Sequence, residues 1–249
     1  MGYNKNLIQL GAFVLSICLI FFSGLNNHGL WTPDEPRVAE IGREMAESGN
    51  FFIPQLNKRP FLEQPPLYYA SLAGVFKIAG YASDGLARLP SAIYGLGGVL
   101  ATFLLAYTLF GINAGIISAF IISTAFEYLR VSHWVIVDSA LFCFTFFAMW
   151  FFIKAYLGNE KHKKMLCYIL FYVFCILSFF VKGLVGIGVP IVATLTFLIL
   201  DKNIKEMKRM HILVGLLLFS LSLFLWGICL FRHGGEEYLK IFFIDNNLL

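Results

Sequence analysis

Thr32-Pro33-Asp34-Glu35-Pro36-Arg37 sets two adjacent carboxylates and an arginine directly after an apolar run of membrane length. The residues that follow, Pro33 to Ser48, are spaced as a short helix. Thr32 and Glu35 have the Thr-x-x-Glu spacing of a capping box, and Pro33 falls at the first helical position, where its missing N–H costs nothing. Val38, Ile41 and Met45 share one face, Arg37, Glu40, Glu44 and Glu47 cover the others, and Gly49 is a natural stop. This is an amphipathic helix expected to lie on a membrane surface. Asp34 and Glu35 either serve a site there or simply complement the helix N-terminus.

Working outward, the composition sets the class. The 249 residues are 59% hydrophobic and only 14% charged, against roughly 25% charged for a soluble domain. The chain therefore reads as polytopic and membrane-embedded. Its net charge of +4 is diffuse, and no basic run interleaves with aromatics outside the apolar stretches, which argues against nucleic acid. Cys18, Cys143, Cys167, Cys175 and Cys229 all fall in expected spans and form no CxxC pair, so they read as small apolar residues. The N-terminal run lacks a small-residue cleavage site and is expected to be a retained first span.

Seven spans are expected: 7–25, 86–110, 114–125, 137–157, 165–181, 184–200 and 212–231. The third is short, so its boundary is blurred or it leans into the protein. Residues 26–84 form a long first outer loop. It holds the amphipathic helix, an extended proline-rich segment from Phe51 to Pro66, and a second apolar helix, 67–79, that is interfacial or re-entrant. The fold class is all-α. Lys161, Lys163, Lys164, Lys202, Lys205, Lys208 and Arg209 sit in two short connections, which makes those connections, and with them the N-terminus, cytoplasmic. Asp34, Glu35, Glu63, Asp138, Lys182, Glu236, Glu237 and Asp245 then meet at the outer surface, as a site opening outward requires. Gly95, Gly97 and Gly98, and Gly183, Gly186 and Gly188, offer small surfaces for close helix packing.

The candidates for chemistry follow from that placement. Asp138 opens the fourth span among apolar neighbours, as a site acid or as a helix cap with Ser139 beside it. Lys182 lies between two apolar spans, where it binds an anionic head group or snorkels to the interface. Glu63 accepts a proton, binds a cation or is a solvated loop acid. His133, His211 and His233 lack paired ligand spacing, so no metal ligands are assigned. No phosphate-cradling glycine loop or GxSxG elbow occurs in the right context.

Several segments together resemble the GT-C-fold glycosyltransferases that use lipid-linked sugars, in particular the bacterial aminoarabinose (lipid A) transferases and the protein O-mannosyltransferases. Leu30-Trp31-Thr32-Pro33-Asp34-Glu35-Pro36-Arg37-Val38-Ala39-Glu40 looks like that family's first outer loop, and Phe61-Leu62-Glu63-Gln64-Pro65-Pro66-Leu67-Tyr68-Tyr69 its proline-centred segment. Arg88-Leu89-Pro90-Ser91, Val135-Ile136-Val137-Asp138 and Val181-Lys182-Gly183 are similar to three further signatures. The resemblance implies transfer of a sugar from a polyprenyl-phosphate donor to a lipid, glycan or protein acceptor at the outer face of the cytoplasmic membrane. It implies catalytic roles for Asp34, Glu35 and Asp138, and substrate binding by Arg37, Glu63, Arg88 and Lys182. Asp34 would be general base to a hydroxyl acceptor, or orient a phosphate acceptor, and Lys182 would bind phosphate.

Three features depart from the pattern. Gln64 stands where the aminoarabinose enzymes carry a lysine, removing a cation expected at the donor phosphate. Asp245-Asn246 stands where they carry an acid and a histidine, so a divalent metal is left open rather than assigned. Members of the family are also longer, so the chain is expected to be an N-terminal portion without the later spans and soluble domain. Two other classes remain open: a lipid-head-group transporter or flippase, and the non-catalytic half of a split transferase that works with a separate C-terminal half. A transporter needs charged or broken helices at the membrane midplane, whereas the charges here stay near the outer edge.

Overall fold

The structure is a computed structural model that describes the backbone of residues 2–245 and the side chains of residues 11, 12 and 14–245. Asn246, and with it half of the replaced acid–histidine pair, lies outside the described residues. The chain is a multi-pass helical membrane protein. Its helices are α1 (Gly2–Phe22), α2 (Asp34–Ser48), α3 (Leu67–Ala79), α4 (Asp84–Phe110), α5 (Ile112–Thr124), α6 (Phe126–His133), α7 (Asp138–Leu157), α8 (Lys161–Lys182), α9 (Leu184–Leu200) and α10 (Ile212–Lys240). Among the described residues four helices, α4, α7, α8 and α10, are long and apolar enough to cross a membrane. The pair α5 and α6 makes a fifth, bent by 64°. At 17 residues, α9 falls short of a full crossing by length, and α1, 21 residues long, overlaps the first expected span over 7–22.

Glycines end the helices where the sequence places them. Gly49 and Gly80 both take left-handed backbone, and their N–H groups close the last turns of α2 and α3 onto the Met45 and Phe76 carbonyls. Three expectations are corrected. The third span is neither blurred nor simply tilted: it breaks at Ala125, whose extended backbone (φ −68°, ψ 121°) turns the chain into α6. The seventh does not stop at Phe231. It runs on to Lys240 across Gly235, whose φ of 63° breaks the helix internally, and a short π-helical turn, Ile241–Asp245, follows. The proline-rich segment is not merely extended. It folds into a small antiparallel hairpin, β1 (Gln55–Leu56) against β2 (Arg59–Pro60), through Asn57 and Lys58, both at positive φ. The hairpin tip is tied to α2 by the Lys58 N–H donating to Glu44 (3.0 Å).

Packing under the loop between α1 and α4 positions the site. Val38, Ile41 and Met45 of α2, Tyr68, Tyr69 and Leu72 of α3, Ala87 of α4, Val135, Val137 and Ala140 around the start of α7, and Val181 of α8 form one buried cluster. It seats the amphipathic helices on the ends of three spans. The opposite face of α2 carries Arg43 between Glu40 and Glu47. A second cluster joins Ile53 and Leu62, between α2 and α3, to Phe179 of α8, to Trp226 and Leu230 of α10, and to Phe242.

The glycines expected to let helices approach divide in two. A Cβ on Gly95, Gly97, Gly98 or Gly186 would overlap Ser132, Cys143, Tyr128 or the Ser178 backbone carbonyl, respectively. Gly183 is the positive-φ residue joining α8 to α9, but Gly188 faces open space and takes no part.

Candidate functional site

The buried cluster carries the charged residues at its edges. Val38, Ala87, Val137 and Val181 neighbour the α2 head, Arg88, Asp138 and Lys182, so four separate segments bring their polar residues to one surface.

Beneath that surface lies a buried ion pair. Glu35 and Arg88 are each only 1% exposed. Arg88 grips the carboxylate with two parallel bonds, Nε to Oε1 (3.1 Å) and Nη2 to Oε2 (3.0 Å). Its other donors reach the carbonyls of Leu25 (2.9 Å), His28 (2.8 Å) and Gly29 (2.9 Å). Each Glu35 oxygen takes one further bond, from the Trp31 N–H (2.8 Å) and the Val135 N–H (2.9 Å). Burial of this kind is tolerated only where every donor and acceptor is matched. The pair thus ties the α1–α2 connection and the head of α2, the head of α4 and the α6–α7 connection together. The expected capping box does not form: no side chain caps α2, and Glu35 instead reaches back to Trp31. Its expected role as a reacting carboxylate, and that of Arg88 as a substrate ligand, do not fit these contacts, because both side chains are buried and engaged.

Burial alone would raise the Glu35 pKa. The bonds from Arg88, Trp31 and Val135 and the Arg88 charge outweigh it and hold Glu35 below its ordinary 4.5. A depressed carboxylate contributes stability that is fully present above pH 4.5 and is lost as pH falls through the lowered value. The parent chain is therefore expected to lose thermal stability in acid below pH 4.5. Glu35→Gln should abolish that part of the slope. A titration of unfolding midpoint against pH that is identical for both chains would show the pair is not coupled to folding.

The exposed partners behave differently. Asp34 is 56% exposed and bonds Arg37 (2.9 Å), itself 45% exposed. Asp138 does not cap α7; Val137 occupies that position without a side-chain cap, and Asp138 pairs with Lys182 across α7 and α8. That pair remains part-exposed, at 43% and 32%. Glu63 is exposed on the segment after the hairpin. Gln64 accepts a bond from the Tyr69 hydroxyl (3.2 Å). Sequence reasoning missed Arg130, whose charge acts on Asp138 and whose guanidinium lies 4.3 Å from the Trp134 ring centroid. An arginine four residues before a tryptophan was the available signal. Ser139 Oγ is buried beside Asp138 without a hydrogen-bond partner. Among the described residues no three His, Cys, Asp or Glu side chains come together as metal ligands. With Asp34 on Arg37 and Asp138 on Lys182, the donor set does not fit a divalent ion.

Residues 63–228 match the family described as dolichyl-phosphate-mannose-protein mannosyltransferase. The chain belongs to this family. Among the proteins similar to it, the undecaprenyl phosphate-alpha-4-amino-4-deoxy-L-arabinose arabinosyl transferase of Shewanella sediminis is 24% identical over 242 residues, covering 96% of this chain and 44% of the relative. That of Proteus mirabilis is 27% identical, covering 94% and 42%. An uncharacterized protein of Aquifex aeolicus is also 27% identical, covering 94% and 46%. The chain thus spans less than half the length of the curated relatives it matches. The crystal structure of ArnT from Cupriavidus metallidurans bound to undecaprenyl phosphate superposes with a TM-score of 0.89 at 22% identity, over 96% of this chain and 44% of that one. The shared fold is that of a GT-C-like membrane protein.

Proposed function

We propose that this mannosyltransferase-family chain is the N-terminal transmembrane portion of a glycosyltransferase. In this reading residues 26–84 form the outer loop, and a sugar moves from a polyprenyl-phosphate donor to a lipid, glycan or protein acceptor. The site faces outward from the cytoplasmic membrane. The observation that carries the reading is the contrast at the head of α2. Asp34 is exposed and accessible, while the adjacent Glu35 is locked to Arg88 beneath it.

In this reading the acceptor oxygen bonds to the anomeric carbon as the bond from that carbon to the phosphate oxygen breaks. Asp34 takes the proton of a hydroxyl acceptor, or orients an acceptor that is already a phosphate. Arg37 holds one Asp34 oxygen until the acceptor arrives. Lys182, steadied by Asp138, offers its ammonium to the leaving polyprenyl phosphate, whose charge grows in the transition state. Glu63 is assigned to substrate contact on the exposed loop. Glu35 and Arg88 act as positioning residues.

The test is transfer from polyprenyl-phosphate sugars by the 249-residue chain in lipid, with Asp34→Asn alongside. The expected result is transfer by the parent chain, reduced about 10²–10⁴-fold in the variant with folding intact. Equal transfer by both removes Asp34 from the mechanism. No transfer by either, with a stable fold, favours a half that works only with a separate C-terminal partner.

A further inference from the structure

A second polar site lies at the other end of the same spans. Asp138 and Lys182 mark one end of α7 and α8, and Tyr156 and Lys161 mark the other. With 20 residues in α7, the two ends are about 30 Å apart at 1.5 Å per residue. There the α7–α8 connection, the 3₁₀ helix Ile204–Arg209 and the start of α10 enclose a cleft of about 710 Å³. Lys161, Lys164, Lys208 and Arg209 line it, with His162 and His211, against a single carboxylate, Glu206.

The cleft is built rather than a loose spread of surface charge. Glu206 is 3% exposed at its floor, where it accepts from the Tyr168 hydroxyl (2.6 Å), from Lys164 and from Arg209 (3.4 Å). Burial would raise the Glu206 pKa, yet Lys164 and Tyr168 bonds and the Lys164 and Arg209 charges hold it below its ordinary value. It is therefore ionised and fixes two cations in place. Four cations against one carboxylate leave three positive charges uncompensated. Lys161 and Lys208 are exposed and have no carboxylate partner among the described residues. Lys161 and Lys164 stand in the first turn of α8, at the positive end of the helix, where the N-cap Glu160 is already paired with Lys163. An anion at the cleft would offset Lys161 and Lys208, which no carboxylate pairs among the described residues. Met165 lines the same cleft, and Leu166 next to it is exposed, which supplies an apolar ledge beside the charges.

We propose that this cleft binds a phosphoryl group, carried by an anionic lipid of the adjoining leaflet or by a soluble phosphate. Basic pockets between spans recognise lipid head groups in this way. The test uses the full chain in nanodiscs of phosphatidylcholine, with or without a minor fraction of phosphatidylglycerol. Native mass spectrometry counts the retained phosphatidylglycerol, and the unfolding midpoint in phosphatidylcholine discs is read against inorganic phosphate. Lys161→Gln with Lys208→Gln is expected to weaken retention, or phosphate protection, about tenfold or more. Lys202→Gln with Lys205→Gln, on the same connection but outside the cleft, should leave it within about twofold. Arginine at positions 161 and 208 should restore it. Retention of phosphatidylglycerol without protection by inorganic phosphate identifies the lipid; protection by inorganic phosphate alone identifies a soluble ligand. Equal loss in the two double variants would reduce the effect to diffuse surface charge. That outcome, or no loss at all in the cleft variant, overturns the proposal. Both lysines are exposed, and circular dichroism checks that the variants keep their helices.

Discussion

Arg88→Met is expected to destabilise the folded chain by about 3–5 kcal/mol, the range for breaking one side of a buried ion pair. The physical reason is what the substitution leaves behind. Glu35, 1% exposed, would keep its charge without its bidentate partner. The carbonyls of Leu25, His28 and Gly29 would lose donors at the same time. Arg88→Lys should recover only part of the loss, because an ammonium cannot reproduce the two parallel bonds and the fan toward three carbonyls. Unfolding in lipid–detergent mixtures measures it. A loss below about 1 kcal/mol for Arg88→Met, the size of an exposed pair, would mean the network contributes little. The double variant with Glu35→Gln should cost less than the sum of the single changes, since the second removes the stranded charge.

Gly186→Ala is expected to be the other severe change, at about 3 kcal/mol, the upper end of overpacking. The added methyl would meet the backbone carbonyl of Ser178 on α8, and a carbonyl held in a helix cannot rotate aside. Relief requires α8 and α9 to separate about Gly183. Lys182, the last residue of α8, would move with it, so its pairing with Asp138 should weaken, and under the proposed function affinity for the donor phosphate should fall as well. Gly188→Ala is the matched comparison, because a methyl there meets nothing within 4 Å. It should be neutral or slightly stabilising, by about 0.5–1 kcal/mol of helix preference. Equal effects of the two substitutions on the unfolding midpoint would remove the steric argument.

These residues also mark how far the sequence can be read. Helix ends at Gly49 and Gly80 were legible, because a glycine after an apolar periodic run has a local cause. The bounds of the helices 67–79 and 184–200 were legible to the residue, although the second falls short of the crossing expected of it. The break at Ala125 was not, since nothing in its composition separates it from a continuous span. The hairpin at Asn57 and Lys58 was hidden because neither residue is glycine. The pairing of Glu35 with Arg88 joins positions 53 apart, and periodicity carries no information over that distance. An arginine in the first turns of a span is costly unless matched, so the need for a partner could be read, though not which partner it would be. Glu206 gave no signal at all. It sits in a short basic connection that looks solvated, and only the packing of Tyr168 and Lys164 around it reveals a buried acid.

The bond from the Trp226 indole N–H to the Phe52 carbonyl (3.0 Å) spans 174 positions. Read as a schedule, it means the loop between α1 and α4 cannot reach its final form when it is first made. At synthesis rates of about 5–20 residues per second, the loop waits roughly 9–35 seconds for α10 to arrive. Until then Phe52, Ile53 and Leu62 lack the indole and the Phe242 ring against which they pack. The segment made early is thus finished late, its Phe52–Leu62 stretch waiting for the tenth helix.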